Sequence, residues 1–300
     1  MPDLVEQVSE SLAGVVERTA PSVVRVEGRR RRAASGVAWS EDLVVTAHHA
    51  LEWDEDITVG LPEGEADKAV LVGRDPGTDL AVLRVQGAGL SPAGWMDLDG
   101  LKVGHLVLAV SRPGRTAQAR LGIVSALADA WRTPSGGKVD RYVQTDVGLH
   151  AGFSGSALVD VGGRVRGLNT AGLVRATATA MPTATVRRVV ESLLAHGQVR
   201  RGYLGIGAQP VRLPADVEQR TGQAAALLVS SVQAESPAAR AGLILGDVLV
   251  ALDGHPLGHP ADLLPLLDED RIGVESRAKV LRGGELRELP IVVGARAGGD

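Results

Sequence analysis

Three short segments carry side chains suited to acyl transfer. Leu43-Val44-Val45-Thr46-Ala47-His48-His49-Ala50 is a strand-like run that ends in two histidines. Gly77-Thr78-Asp79-Leu80-Ala81-Val82 sets an acid at the start of another strand, and Gly152-Phe153-Ser154-Gly155-Ser156 places a serine in a glycine-rich turn. A serine hydroxyl is a weak nucleophile: an imidazole must take its proton, and an acid must fix the tautomer of that imidazole. The glycines have a separate use. A backbone without bulk over Gly152–Ser154 can turn two N–H groups toward one point, where the oxyanion of a tetrahedral intermediate forms. Taken singly, each piece has a plainer reading, as a structural histidine, a turn or capping aspartate, or a hairpin. The argument lies in their joint occurrence, each at a strand edge.

The elements that must position these residues follow from the apolar pattern. Leu4, Val8, Leu12 and Val15 recur at helical spacing, so Leu4–Arg18 reads as an amphipathic helix that Pro21 ends. Beyond it lie many short Val/Ile/Leu-rich runs bounded by Gly, Pro or Asp, among them Ser22–Glu27, Gly36–Trp39, Ala81–Val85, Leu106–Val110, Ser156–Val161 and Val165–Asn169. That is the pattern of a sandwich or barrel. Helical spacing returns at Thr185–Ala195. The polar, basic stretch 197–202 reads as a linker. After it come strands at Leu204–Ala208, Leu227–Val232, Val248–Leu252, Ser276–Leu281 and Leu289–Val293, with helices at Pro237–Ala241 and Pro260–Leu267, which together make a small α+β module.

Composition agrees. The 300 residues include 38 glycines, as a turn-rich β protein needs, and only one Phe, two Tyr and four Trp, too few for a base-stacking surface. A net charge of −4 gives no basic field for nucleic acid, and the absence of cysteine excludes disulfides, thiolate metal sites and a cysteine nucleophile. The run Arg29–Arg32 reads as a solvated hairpin loop, with an anionic partner as the lesser alternative. His255 and His259 have metal-like spacing, but Pro256 and Pro260 break the helix that would align them, so neither a metal nor a cofactor is expected. No stretch spans a membrane, and Met1–Glu10 lacks the basic and apolar regions of an export signal. As written, the chain reads as cytoplasmic; a start further upstream would make it extracytoplasmic.

The chain order His, Asp, Ser belongs, among triads on unrelated folds, to the chymotrypsin-type double barrel. The competing reading is an α/β-hydrolase elbow, because Gly152–Ser156 half-matches its pattern. That elbow needs Gly where Ser156 stands, a strand-to-helix turn, and a histidine after the serine. Here strand-like sequence follows Ser154, and His196, His255 and His259 lie in the linker or the second module.

With these segments in view, the chain resembles the HtrA/Deg family of serine proteases, a trypsin-like domain followed by one PDZ domain. The resemblance runs from about Ala20 to Val293. It is carried by Thr46–Ala50, Thr78–Val82, Gln144-Thr145-Asp146 through Leu158, Val103-Gly104, Gly122–Ser125 and Gly167–Thr170, and in the C-terminal part by Ser236–Leu243 with Gly246-Asp247-Val248-Leu249. It implies a mainly β fold, a chymotrypsin-like double β-barrel with a small α+β PDZ domain. The implied parts are an N-terminal helix (1–19), a protease domain (20–196), a linker (197–202) and a PDZ domain (203–295). It implies His49 as general base, Asp79 as its orienter, Ser154 as nucleophile, and the N–H groups of Gly152 and Ser154 as the oxyanion hole. Side chains alternate on extended chain, so His48 and His49 cannot both face Ser154; the family spacing from Thr46 selects His49.

The same resemblance implies an ATP-independent endopeptidase acting on unfolded or damaged proteins, a homo-oligomer, trimeric in this family, and capture of C-terminal peptides by a carboxylate-binding loop at Tyr203-Leu204-Gly205-Ile206. The alternative is a protease-like scaffold or chaperone with an inactive site. Several positions depart from the family. Phe153 replaces Asn before the nucleophile, Ser156 replaces the second following Gly, and Thr179-Ala180-Met181-Pro182 stands where Phe-Ala-Ile-Pro is usual. With Gly148, Ala171 and Thr179 as its expected lining, the specificity pocket is uncharged and suits small or medium aliphatic side chains. Pro265 falls inside the helix expected to wall the peptide groove and breaks it.

Overall fold

The computed structural model describes residues 3–30, 32–87, 89–174 and 177–295; Arg31, within the basic run, lies outside them. The chain divides into two compact units, Met1–Val199 and Arg200–Asp300. In the first, six antiparallel strands close a barrel: β1 (Val23–Glu27), β2 (Ala34–Ala38), β3 (Leu43–Ala47), β4 (Ile57–Gly60), β5 (Ala66–Asp75) and β6 (Leu80–Val85), in the order β1-β2-β3-β6-β5-β4. A second six-stranded barrel follows: β7 (Leu106–Ser111), β8 (Gln118–Ala128), β9 (Tyr142–Thr145), β10 (Ala157–Asp160), β11 (Val165–Thr170) and β12 (Ala178–Pro182), in the order β9-β12-β11-β10-β7-β8. No helix among the described residues is long and apolar enough to cross a membrane.

Strand β3 is a continuous apolar run because both of its faces are buried. Val44 joins Val26, Ile57 and Leu83 in one cluster, whereas Val45 joins Val37, Val110 and Leu168 in another that links the two barrels. Pairing then fixes where the chemistry lies. Ala47 of β3 stands opposite Leu80 of β6, so the chain leaving β3 at His48 meets the chain entering β6 at Asp79. Two helices seal this core. α1 (Leu4–Thr19) docks Val15 with Leu12 and Val16 beside it, and leaves Leu4, Val5 and Val8 exposed. α2 (Thr183–His196) buries Val186, Val189, Val190 and Leu193.

The second unit is a sheet of β13 (Ile206–Arg212), β14 (Ala225–Val232), β15 (Val248–Leu252), β16 (Glu275–Arg282) and β17 (Glu285–Val292), in that order, with short helices α3 (Ala215–Thr221) and α4 (Pro237–Arg240). The sequence pattern had no signal for α3. The segment Pro260–Leu267, expected as a helix, is a 3-10 helix containing Pro265. A proline inside an α-helix removes a donor and clashes with the preceding turn; the tighter winding accommodates it here. His259 caps this segment, its Nδ1 accepting the Ala261 N–H at 3.2 Å.

Candidate active site

His49 is not on extended chain, as the sequence suggested, but in a 3-10 turn, His48–Ala50, that directly follows β3. The turn separates the two imidazoles all the same. His48 N–H donates to the Asp79 carbonyl at 2.9 Å and His49 N–H to Asp79 Oδ1 at 2.9 Å, so one aspartate pins the turn through its backbone and its side chain. Asp79 itself sits at φ 57°, a left-handed conformation that Asp tolerates better than most residues. It ends a turn held by Asp75, whose carboxylate accepts the Gly77 N–H and the Thr78 N–H and hydroxyl.

The three side chains form one connected line. His49 Nδ1 lies 2.7 Å from Asp79 Oδ2, and His49 Nε2 lies 3.0 Å from Ser154 Oγ. A carboxylate only accepts, so the proton on the imidazole belongs on Nδ1 and leaves Nε2 free to accept from the serine. Thr170, at the end of β11, donates its hydroxyl to Asp79 Oδ2 as well. Burial by itself would raise the Asp79 carboxyl. The hydrogen bond and charge of the His49 ring, the Thr170 hydroxyl and the His49 amide outweigh it and hold the group below the usual carboxylate range. Asp79 is therefore ionised at neutral pH and able to stabilise an imidazolium. His48 faces Arg74, Nδ1 to Nη1 3.4 Å, and burial followed by that guanidinium lowers its pKa.

The turn that carries Ser154 is fixed from both barrels. Gly152 has φ 94°, and a Cβ there would stand 2.5 Å from Pro113 Cβ. Gly155 has φ 81°, and a Cβ there would stand 2.0 Å from the Ser35 carbonyl oxygen, so the first barrel can approach only a glycine. Ser35, fully buried in β2, donates its hydroxyl to the Gly152 carbonyl at 2.8 Å and its N–H to the Ser154 carbonyl at 3.1 Å. Its Oγ accepts the Arg112 N–H at 2.9 Å, and its carbonyl accepts the Thr46 hydroxyl at 2.7 Å. Phe153 N–H is bonded to the His150 carbonyl at 3.0 Å, while neither the Gly152 nor the Ser154 N–H donates to any acceptor among the described residues. The Phe153 ring is buried in the second barrel with Leu98, Val124 and Leu158, under the Arg120 guanidinium at 5.3 Å.

Two clefts that share Leu149 and Ala171 open in this region, and Ser154 lines one of them. The other, of about 320 Å³, is lined by Gly148, Ala171, Thr177, Ala178 and Thr145, whose buried hydroxyl has no partner among the described residues. Gly148 and Ala171, expected to line a specificity pocket, line this cleft, but so does Asp146, so the cleft is not uncharged as the sequence suggested. Thr179 is not among the residues lining the cleft: it is buried between its strand partners Gln144 and Thr170, and its neighbours Thr177 and Ala178 line the cleft instead. Sequence reasoning also missed Ser35, Thr46, Thr145 and Thr170 as parts of the site. A small polar residue inside an apolar strand was the available signal for Ser35. In the second unit Tyr203 pairs with Gly294, the Leu204 carbonyl accepts the Ala238 N–H at 2.8 Å, the Gly205 carbonyl accepts the Gln233 N–H at 2.8 Å, and Ile206 opens the edge strand β13.

Comparison with known proteins agrees with this geometry. Residues 34–168 match a trypsin-like peptidase domain and residues 202–293 a PDZ domain. A protein of Ectopseudomonas mendocina, named a probable periplasmic serine endoprotease, DegP-like, is 34% identical over 98% of this chain and 64% of its own length. One from Halomonas elongata with the same name is 34% identical over 88% of this chain and 57% of its own. The chain therefore spans about two thirds or less of these curated relatives. Among solved structures, the HtrA-type protease AlgW with a tripeptide is 32% identical, covers 96% of this chain and 98% of its own, and superposes with a TM-score of 0.72. A serine endoprotease from Yersinia pestis gives 29%, 95%, 98% and 0.74. On its residues, its two domains and these likenesses, the chain belongs to the HtrA/Deg-type family of serine proteases.

Proposed function

We propose that this chain is a serine endopeptidase that cleaves unfolded or damaged polypeptides without ATP. The observation that carries the reading is the unbroken line from Asp79 through His49 to Ser154, with contacts of 2.7 and 3.0 Å. Nε2 of His49 takes the Ser154 proton as Oγ attacks a peptide carbonyl, and the negative charge gathers on the carbonyl oxygen. The Gly152 and Ser154 N–H groups, which have no acceptor among the described residues, are the donors for that oxyanion. His49 then passes its proton to the leaving amine, and water releases the acyl group by the same route in reverse. The cleft at Gly148 and Ala171, small-residue-lined with Asp146 on its wall, takes a small or medium aliphatic side chain on the acyl side.

The working parts are an N-terminal helix (1–19), the protease domain (20–196), a linker (197–202) and a PDZ domain (203–295). In the last, the Tyr203–Ile206 loop holds a peptide carboxylate while the peptide adds to the free edge of β13. The protein acts as a homo-oligomer, a trimer by family likeness. The periplasmic names of its relatives favour an extracytoplasmic location over the cytoplasmic one that the N-terminal residues suggested. Casein degradation by the wild type, compared with Ser154→Ala, tests the function. Turnover lost in the variant is the expected result. Equal rates, or none in either, would leave only the scaffold reading.

A further inference from the structure

The basic run between β1 and β2 is not used by the triad chemistry. In the fold it is the loop of the β1–β2 hairpin, with Arg30 and Arg32 exposed, as the sequence suggested, but it has fixed contacts as well. It is pinned against the segment that follows His49: Glu52 N–H donates to the Gly28 carbonyl at 2.7 Å, and Arg30 N–H reaches Glu52 Oε2 at 3.4 Å. Held there, Arg29 and Arg32 line a cleft of about 340 Å³ together with His49, Glu52, Gly152 and Ser154. Arg29 Nε donates to the Arg32 carbonyl at 2.6 Å. Among the described residues, no carboxylate pairs with either guanidinium.

This cleft and the one at Gly148, which share Leu149 and Ala171, thus differ in charge. The cleft at Gly148 has Asp146 as its one charged lining residue, and its Oδ1 accepts the Ile123 N–H at 2.6 Å. The other presents two guanidinium groups against one carboxylate, Glu52. The chemistry assigns the sides. His49 must hand its proton to the leaving nitrogen, so the leaving segment departs past the imidazole, along the wall that His49 shares with Glu52 and the basic loop. The acyl side chain then occupies the cleft at Gly148, whose one charge is the Asp146 carboxylate.

We infer that this enzyme favours substrates with carboxylate side chains just after the scissile bond, with Arg29 and Arg32 as specificity-determining residues. The inference rests on the endopeptidase reading above. Glu52 opposes it in charge, yet it fastens the loop, and two cations against one anion leave the wall net positive.

The test uses quenched fluorescent peptides that share one acyl half with an aliphatic residue before the cut. They differ only in carrying Glu, Gln or Lys at the first two positions after it. Expected is a kcat/KM for Glu over Gln of about three- to tenfold, the scale of exposed ion pairs, with Lys below Gln. The preference should shrink below about twofold as salt rises from about 0.05 M to about 0.5 M, because exposed charges are screened. It should fall to near unity in Arg29→Gln/Arg32→Gln and grow in Glu52→Gln. Ser154-dependent cleavage with no Glu preference in the wild type would overturn the inference and leave the endopeptidase reading standing; so would a preference that survives in the double variant. If no peptide is cleaved in a Ser154-dependent way, the endopeptidase reading fails and the inference falls with it.

Discussion

Ser35 lies in the first barrel, yet on the proposed mechanism its contacts make it the positioning residue for the proposed oxyanion donors in the second. Its hydroxyl holds the Gly152 carbonyl at 2.8 Å and takes the Arg112 N–H at 2.9 Å, with Ser35 at 0% exposure. Fixing that carbonyl away from the cleft fixes the orientation of the Gly152–Phe153 peptide plane and steadies the turn. Ser35→Ala removes both bonds and leaves a buried C=O and N–H unpaired, which costs about 1–3 kcal/mol of stability. The catalytic effect is smaller and separable. A neutral hydrogen bond worth about 0.5–1.5 kcal/mol sets the ratio of aligned to turned loop, so its loss shifts that ratio by about 2- to 13-fold. We expect kcat to fall within that range with KM little changed. A peptide aldehyde, which presents an oxyanion once bound, should lose affinity by the same factor, whereas a product peptide should not. Urea unfolding, run alongside, separates the stability cost. Unchanged kcat and aldehyde affinity in a destabilised but folded variant would show that the Ser35 hydroxyl is only structural.

The adjacent histidines should separate cleanly. His49→Ala should lower turnover by about three orders of magnitude or more and His48→Ala by less than about tenfold; the reverse order, read from kcat of folded variants, would refute the register. The two glycine-turn positions should also part. Gly152→Ala forces a Cβ to within 2.5 Å of Pro113 and disturbs an oxyanion donor, with an expected kcat loss on the order of 10²–10³. Phe153→Asn should keep activity within about tenfold but lose roughly 1.5–3 kcal/mol of stability from the buried ring; melting temperature and kcat of both variants check the pair. For pH, burial and Arg74 place the His48 pKa in the folded chain below its unfolded value of 6.5. The unfolded chain then binds the proton first as pH drops below about 6.5, and stability is lost as pH falls through the folded pKa. His48→Gln should flatten the fall in melting temperature between about pH 6.5 and 5; an unchanged slope would remove the assignment.

What was legible in the sequence was chemistry attached to a turn signal. His49, Asp79 and Ser154 each sit at the mouth of a Val-rich strand, and the strand pairing that joins Ala47 to Leu80 does the rest. What was not legible depends on contacts between distant segments. Ser35 reaches Gly152 across 117 positions, and Thr170 reaches Asp79 across 91, so nothing local tells which distant group either hydroxyl meets. Thr179 is buried between its strand partners Gln144 and Thr170, while the adjacent Ala178 lines the cleft, a difference set by long-range pairing that the local sequence does not show. Arg29–Arg32 is the solvated hairpin loop that its charge suggests, but its tie to Glu52, beside His49, comes from a contact across 22 positions that no local pattern shows. Pro265 announced a broken helix; the segment instead winds as a 3-10 helix that starts at a cap made by His259 and Asp262.

The central claim is that Ser154 is a nucleophile activated by His49. It is tested most directly by treating the full chain with a fluorophosphonate and measuring the intact mass, followed by peptide mapping. The account predicts one adduct per chain, located on Ser154, absent from Ser154→Ala and greatly slowed in His49→Ala. No adduct on the folded wild type, or one at the same rate without His49, would contradict it.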